Sequence, residues 1–270
     1  MKNFVKISKT IRPFNKNLII EGDKSLSIRW ALLASQASGK SKSLNLLKSE
    51  DVIQTLECLK KLGIKVRQFK NMCEITGNGL NNFKYKKNLV LNAGNSGTLG
   101  RLLIGLLVHS NKRIKIIGDK SLSRRDFQRV TKPLSGFGAT FKTNSGKLPI
   151  YINGTSKPKP ISFYENKGSA QCKSSIMLAA LNTKGITKIK AKKSRDHTEL
   201  LFKHLNLPIR INKKKKLDYI NIDGGKKIKP INYKIPSDIS SSAFFIILTA
   251  LSKDSKINIK NVNINPTRTG

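Results

Sequence analysis

Residues 22–29 read Gly-Asp-Lys-Ser-Leu-Ser-Ile-Arg, between the apolar run Leu18-Ile19-Ile20 and an apolar, Ala/Leu-rich run over 30–34. That context puts Lys24, Ser25 and Arg29 where a strand gives way to a helix. Unpaired N–H groups at a helix start attract anions, and a Lys and a hydroxyl there add to the attraction. Arg29 lies four residues after Ser25, so the two share one side of the first turn. A Lys, a Ser and an Arg so placed suit a small molecule that carries phosphate and carboxylate groups. The same residues would also make an ordinary basic helix cap, and on these residues alone both readings stay open.

Four more polar clusters fall at the starts of predicted helices. They are Asn95-Ser96-Gly97-Thr98 with Arg101, then Arg124-Arg125 after Gly118-Asp119-Lys120-Ser121, then Ser169-Ala170-Gln171 with Lys173, and Ser194-Arg195-Asp196-His197. Gly97 lets a ligand approach the backbone closely. Any one cluster reads as a cap beside a solvated charge. Together, on corresponding edges of repeated units, they predict converging helix N-termini and a deep positive site for a doubly anionic ligand.

The elements that must position them recur. Amphipathic helices are predicted over 51–62, 125–137 and 196–205, each followed at once by a strand, at a spacing of about 70–75 residues. Asp51 with Gln54, and Asp196 with Glu199, have the spacing of capping boxes. More apolar helices over 27–37, 98–108 and 170–181 read as buried all round. The lysine run 213–216 sits between strand-like segments, as a hairpin tip does. This is an α/β chain of three βαβαββ units around buried helices. A fourth unit starts after Pro230, with a helix over 239–251. The final stretch Asn-Pro-Thr-Arg-Thr-Gly reads as the approach to a further helix, so the chain is expected to be part of a longer one.

Composition narrows the classes. With 270 residues and 38% hydrophobic content, the chain is expected to fold into two domains. No apolar run approaches the ~20 residues of a membrane span, and the first residues lack the apolar core of a signal peptide. A cytoplasmic location without membrane contact is expected. Cys58, Cys73 and Cys172 are widely separated, and no Cys/His spacing suits a metal, so buried thiols are expected and no metal. The formal charge of +38 raises nucleic-acid binding. The lysines are scattered, however, and aromatics make up only 6%. Salt-sensitive, non-specific binding is therefore expected, with no specific nucleic-acid partner.

The motifs resemble a known family. GDKSLSIR (22–29), AGNSGTLGRLL (93–103), GDKSLSRR (118–125), SAQCKSS (169–175), SRDHTE (194–199), PSDISSSAFF (236–245) and NPTRTG (265–270) are similar to those of 5-enolpyruvylshikimate-3-phosphate synthase, in the same order and spacing. The resemblance implies an enolpyruvyl transferase fold, an inside-out α/β barrel. It implies transfer of the carboxyvinyl group of phosphoenolpyruvate to the 5-hydroxyl of shikimate 3-phosphate, with no cofactor. Lys24, Ser25, Arg29, Ser169, Ala170, Gln171 and Arg195 would hold shikimate 3-phosphate. Lys24, Gly97, Arg125 and Gln171 would hold phosphoenolpyruvate. Gly97 also matches the position that leaves room for glyphosate. Asp126 departs from the pattern, which usually has Pro beside the phosphate-binding Arg.

The resemblance also implies a division of the chain. Residues 14–234 would form one complete domain, and 1–13 with 235–270 part of another, which would expose a broad apolar surface. The acid/base residues would lie beyond Gly270. Asp238 reads as a helix cap, and His197 and His204 as structural. The whole enzyme is expected to be a monomer, and this chain alone to be unstable and without turnover. The related transferase acting on UDP-N-acetylglucosamine is the alternative. It usually carries a reactive Cys near the second phosphate-binding Arg, and no Cys lies between Cys73 and Cys172.

Overall fold

The computed structural model describes residue 6 and residues 11–270. Most of the piece expected over 1–13 lies outside the described residues. In chain order the elements are β1 (Asn15–Leu18), α1 (Lys24–Gln36), β2 (Ser38–Leu44), α2 (Glu50–Lys61), β3 (Lys65–Gln68), β4 (Met72–Asn78), β5 (Leu89–Asn92) and α3 (Gly97–Leu106). Next come β6 (Ile114–Ile117), α4 (Lys120–Ser123), α5 (Gln128–Ser135), β7 (Thr140–Asn144), β8 (Lys147–Asn153), β9 (Ser162–Glu165) and α6 (Ala170–Leu181). The chain continues through β10 (Gly185–Lys192), α7 (His197–His204), β11 (Ile209–Lys213), β12 (Leu217–Gly224), β13 (Asn232–Lys234), α8 (Ile239–Ala250) and β14 (Lys256–Ile259).

Three four-stranded sheets share one pattern of neighbours: β5-β6-β8-β7, β9-β10-β12-β11 and β13-β2-β4-β3. In each, the first pair is parallel and the rest antiparallel. The second and third units run βαβαββ without a break. The first does not. Its opening strand is β13, which pairs parallel to β2 with Asn232 opposite Lys42. Strand β1 pairs instead with β14, Asn15 opposite Lys256.

Helices α1, α3 and α6 fill the centre. Nearly every residue of each is buried, including Trp30, Leu103 and Met177. A helix that is apolar all round has nowhere else to go. Helices α3 and α6 touch at Gly105, where a Cβ would collide with the carbonyl oxygen of Ser175. Ser175 Oγ in turn donates to the Arg101 carbonyl at 2.8 Å. Trp30 is wholly buried, and its indole N–H donates to the Ile231 carbonyl at 3.2 Å, fixing α1 to the approach of β13. Truncating such a side chain to Ala costs about 3–5 kcal/mol.

Several sequence expectations change. Residues 125–137 are not one helix: α4 ends at Ser123 and α5 starts at Gln128, with Pro133 inside it. The Asp51–Gln54 box does not form, because Ser49 occupies the cap position of α2. Asp196 stands at the cap position of α7 but makes no cap bond. Strand β2, Ser-Gly-Lys-Ser-Lys-Ser-Leu, has little apolar signal. Its inward side chains are the buried Ser41 and Ser43, while Lys40 and Lys42 reach out to Glu74.

Helix α8 resembles the central helices in composition but not in burial. Only Ser242 is buried, and Phe244 is 79% exposed, with Phe245, Ile246, Ile247 and Leu251 also open. Among the described residues no helix is long and apolar enough to cross a membrane.

Candidate active site

The N-termini of the three central helices carry most of the predicted site residues, while Arg125 lies between α4 and α5 and Arg195 just before α7. Each start is capped by its own side chain: Asp23 accepts from Leu26 N, Ser96 from Leu99 N, and Ser169 from Cys172 N. Glu165 accepts the amides of Lys167 and Ser169 and holds the loop before α6. Each cap satisfies one orphan donor and leaves the others toward solvent or ligand.

Side-chain bonds link these starts. Lys24 Nζ lies 3.2 Å from Asp51 Oδ2, which also accepts from Ser96 Oγ at 3.1 Å. Arg125 donates to Asn95 Oδ1 at 3.1 Å, and Asn95 Nδ2 donates to Asp119 at 2.8 Å. A Cβ on Gly97 would stand 3.0 Å from Arg125 Nη1 and 3.1 Å from Arg101 Nη1. The glycine therefore lets two guanidinium groups approach the helix start. Arg101 also donates to Gln171 Oε1, and Gln171 Nε2 donates to Thr98 Oγ1 at 3.1 Å. Lys24, Gly97, Arg125 and Gln171 thus belong to one connected polar surface. Among charged groups that lack full counter-charge, it favours an anion.

Arg29 sits deeper. It is 5% exposed, and its guanidinium donates to Thr198 Oγ1 at 2.7 Å, Ser174 Oγ at 3.2 Å and the Ser25 carbonyl at 2.9 Å. Burial lowers its pKa to about 10, opposed by nearby Glu199 and Asp23. Ser25, Ser169, Ala170 and Gln171 are half-buried along the same rim, and the Arg195 side chain is exposed. Lys173 departs from the expected cluster. It is wholly buried and pairs with buried Glu199, joining α6 to α7. Desolvation holds the Glu199 carboxyl above its usual range despite that partner.

Asp126 does not neutralise Arg125. Its Oδ1 accepts from Gln128 N at 2.7 Å at the start of α5, and its carbonyl accepts from Arg101. Asp238 caps α8 through Ser240 N. His204 packs edge-on against Tyr233. His197 is buried without a partner on Nε2, and desolvation, then Arg29, lowers its pKa to about 4. Burial pushes each of the three free thiols up to about 12, so none is a ready nucleophile. No group of His, Cys, Asp and Glu among the described residues has a metal-binding arrangement.

The sequence pattern gives Asp51 only a capping role, whereas the structure sets it against Lys24 and Ser96. Asp51 was read as a cap because its neighbour pattern allowed one. The signal available was its carboxylate in the first turn of a helix that packs on α1.

Three mixed sheets of like topology around three buried helices, with cations at one set of helix starts, define the enolpyruvyl transferase fold class. The family model for EPSP synthase (3-phosphoshikimate 1-carboxyvinyltransferase) matches residues 8–270, and the chain belongs to that family. It is 42% identical over 265 residues to the 3-phosphoshikimate 1-carboxyvinyltransferase of Vesicomyosocius okutanii, a match over 96% of this chain and 60% of the relative. The Legionella pneumophila enzyme is 38% identical over 272 residues, covering 61% of its own length. The crystal structure of EPSP synthase from Acinetobacter baumannii superposes with a TM-score of 0.86 at 34% identity, covering 95% of this chain and 57% of that one. The chain therefore spans about 60% of the length of the curated relatives it matches.

Proposed function

We propose that this chain carries the 3-phosphoshikimate-binding face of an enolpyruvyl transferase site. In the reaction, phosphoenolpyruvate gains a proton at its methylene carbon, and the 5-hydroxyl of shikimate 3-phosphate attacks the adjacent carbon. The tetrahedral adduct then loses inorganic phosphate and a proton to give the enolpyruvyl ether. The observation that carries the reading is the linked set of Lys24, Gly97 and Gln171 at the starts of the buried helices with Arg125 against the α3 start. Lys24 contacts both substrates. Ser25 and Arg29 hold the shikimate side, while Ser169, Ala170 and Arg195 surround its phosphate. Gln171 lies between the substrates, and Gly97 and Arg125 receive phosphoenolpyruvate. Guanidinium groups suit phosphate, and fixed cations stabilise charge as phosphate departs.

The carboxylates nearest the site are engaged: Asp23, Asp119 and Asp238 cap helices, and Asp51 pairs with Lys24. The roles proposed are binding roles, and proton transfer is assigned to none of these groups. The domain division follows the sheets. The body of three units runs to residue 234. Pairing of Asn15–Leu18 with Lys256–Ile259 supports a boundary after residue 18, not at 14, since a strand belongs with the sheet it completes. Calorimetric titration of the chain with shikimate 3-phosphate tests the reading. Saturable 1:1 binding, lost in Lys24→Ala, supports it, and no binding at millimolar ligand overturns it.

A further inference from the structure

Acidic residues at the starts of three helices share one partner, the segment Asn263–Arg268. Asp23 accepts from Asn263 Nδ2 at 3.1 Å. Asp238 accepts the Lys24 amide at 3.1 Å and lies 3.8 Å from Arg268. Asp196 is different, because it gives up capping its own helix. Its Oδ1 accepts from Asn265 Nδ2 at 2.9 Å and from Thr267 Oγ1 at 3.0 Å, and its Oδ2 from Lys213 Nζ at 2.7 Å. Its backbone N–H reaches Thr267 Oγ1 at 3.4 Å. The residue is 3% exposed. A buried carboxylate needs such a set of donors, and these come from the 265–267 turn and from β11.

The consequence falls on the residue before it. The N–H that reaches Thr267 belongs to the peptide joining Arg195 to Asp196, so the backbone from which Arg195 extends is fastened to the 265–267 turn. The Arg195 side chain is exposed and close enough to Arg29 for their like charges to oppose each other. A long, exposed guanidinium has many rotamers, so the place of its backbone largely sets where it can reach. Beside it lies a cavity of about 310 Å³ lined by Ser194, Arg195, Thr267 and the ion pairs Lys193–Asp218 and Lys213–Asp196, which leaves Arg195 as its one cation without a carboxylate partner among the described residues. We infer that Asp196, through Asn265 and Thr267, is a positioning residue that aims Arg195 at the phosphate of shikimate 3-phosphate. This rests on the substrate reading above.

The test compares two ligands on the 270-residue chain: shikimate 3-phosphate and shikimate, which lacks the phosphate. Arg195→Ala is expected to lower affinity for the phosphorylated ligand at least tenfold and to spare shikimate. Asp196→Asn and Thr267→Val are each expected to lower it about tenfold and spare shikimate. Either one combined with Arg195→Ala should bind no more weakly than Arg195→Ala alone. Thr267→Val keeps the buried carboxylate, so it carries the test if Asp196→Asn fails to fold. Equal losses for both ligands, or additive losses in the double variants, would show that Asp196 only supports the fold and overturn the inference. If Arg195→Ala leaves phosphate affinity intact while the unsubstituted chain still binds, the inference falls and the rest of the substrate reading survives. If the unsubstituted chain binds neither ligand, both fall together.

Discussion

Lys24 and Asp51 form an ion pair across two helices, Nζ to Oδ2 at 3.2 Å, and the same carboxylate oxygen accepts the hydroxyl that caps α3. The lysine is half exposed, so the pair contributes little to stability, within about 1 kcal/mol. Its effect is on the site. Asp51 competes with an incoming anion for Lys24. Asp51→Asn is expected to tighten shikimate 3-phosphate binding two- to threefold, roughly, at low salt, with the gain fading by 0.5 M salt as screening grows. Calorimetry at two ionic strengths checks this, and weaker binding in the variant would contradict it.

Gly97 separates two effects that mutation often confounds. Its Cβ space is bounded by the Arg125 and Arg101 guanidinium groups, not by backbone. Gly97→Ala therefore displaces side chains at the first turn of α3 while favouring the helix, by roughly 0.5–1 kcal/mol. The expected outcome is an unchanged or higher melting temperature with weaker binding of phosphoenolpyruvate, read by thermal unfolding and ligand titration on the same preparation.

One buried and one partly buried histidine make stability fall on mild acidification. Burial lowers both His109 and His197 to about 4, below the ordinary value of 6.5. The unfolded chain then takes up protons that the folded chain refuses. Stability is complete above pH 6.5 and is lost as pH falls toward 4, with His197 accounting for roughly 2–3 kcal/mol. Urea unfolding between pH 7 and 4.5 should show that slope, and His197→Asn should flatten it by about half.

The open face of α8 predicts self-association. Phe244, Ile247 and Leu251 are each more than half exposed on or just after one helix. Apolar patches of this kind mark contact surfaces or aggregation sites. The chain should bind a hydrophobic dye and scatter light at micromolar concentration. Phe244→Ser with Ile247→Ser should reduce both signals and leave ligand binding by the other helices unchanged.

The fold was legible where apolar periodicity was strong. Helices α1, α3 and α6 appear in the sequence as mostly apolar stretches, and their polar starts mark the site. Strand β2 was not legible, because its inward residues are serines and its outward ones lysines. The role of Asp51 was hidden for another reason. Its partner Lys24 is 27 positions away, and only the packing of α1 on α2 brings them together. The same holds for Asp196, whose local spacing with Glu199 matches a cap. The partners Lys213, Asn265 and Lys173 draw the two carboxylates apart. Local pattern loses to tertiary contact where a buried charge has better donors elsewhere.

The strand that completes the first sheet arrives late in the chain. Residue 232 pairs with residue 42 across a separation of 190 positions. During synthesis the first unit to leave the ribosome is thus the last to close, and until then β2 presents an unpaired edge. The second and third units carry their own first strands and can finish in order. Folding should therefore wait on this one long-range closure, and translation stalled before residue 232 should leave a nascent chain that chaperones or proteases recognise at its oldest part.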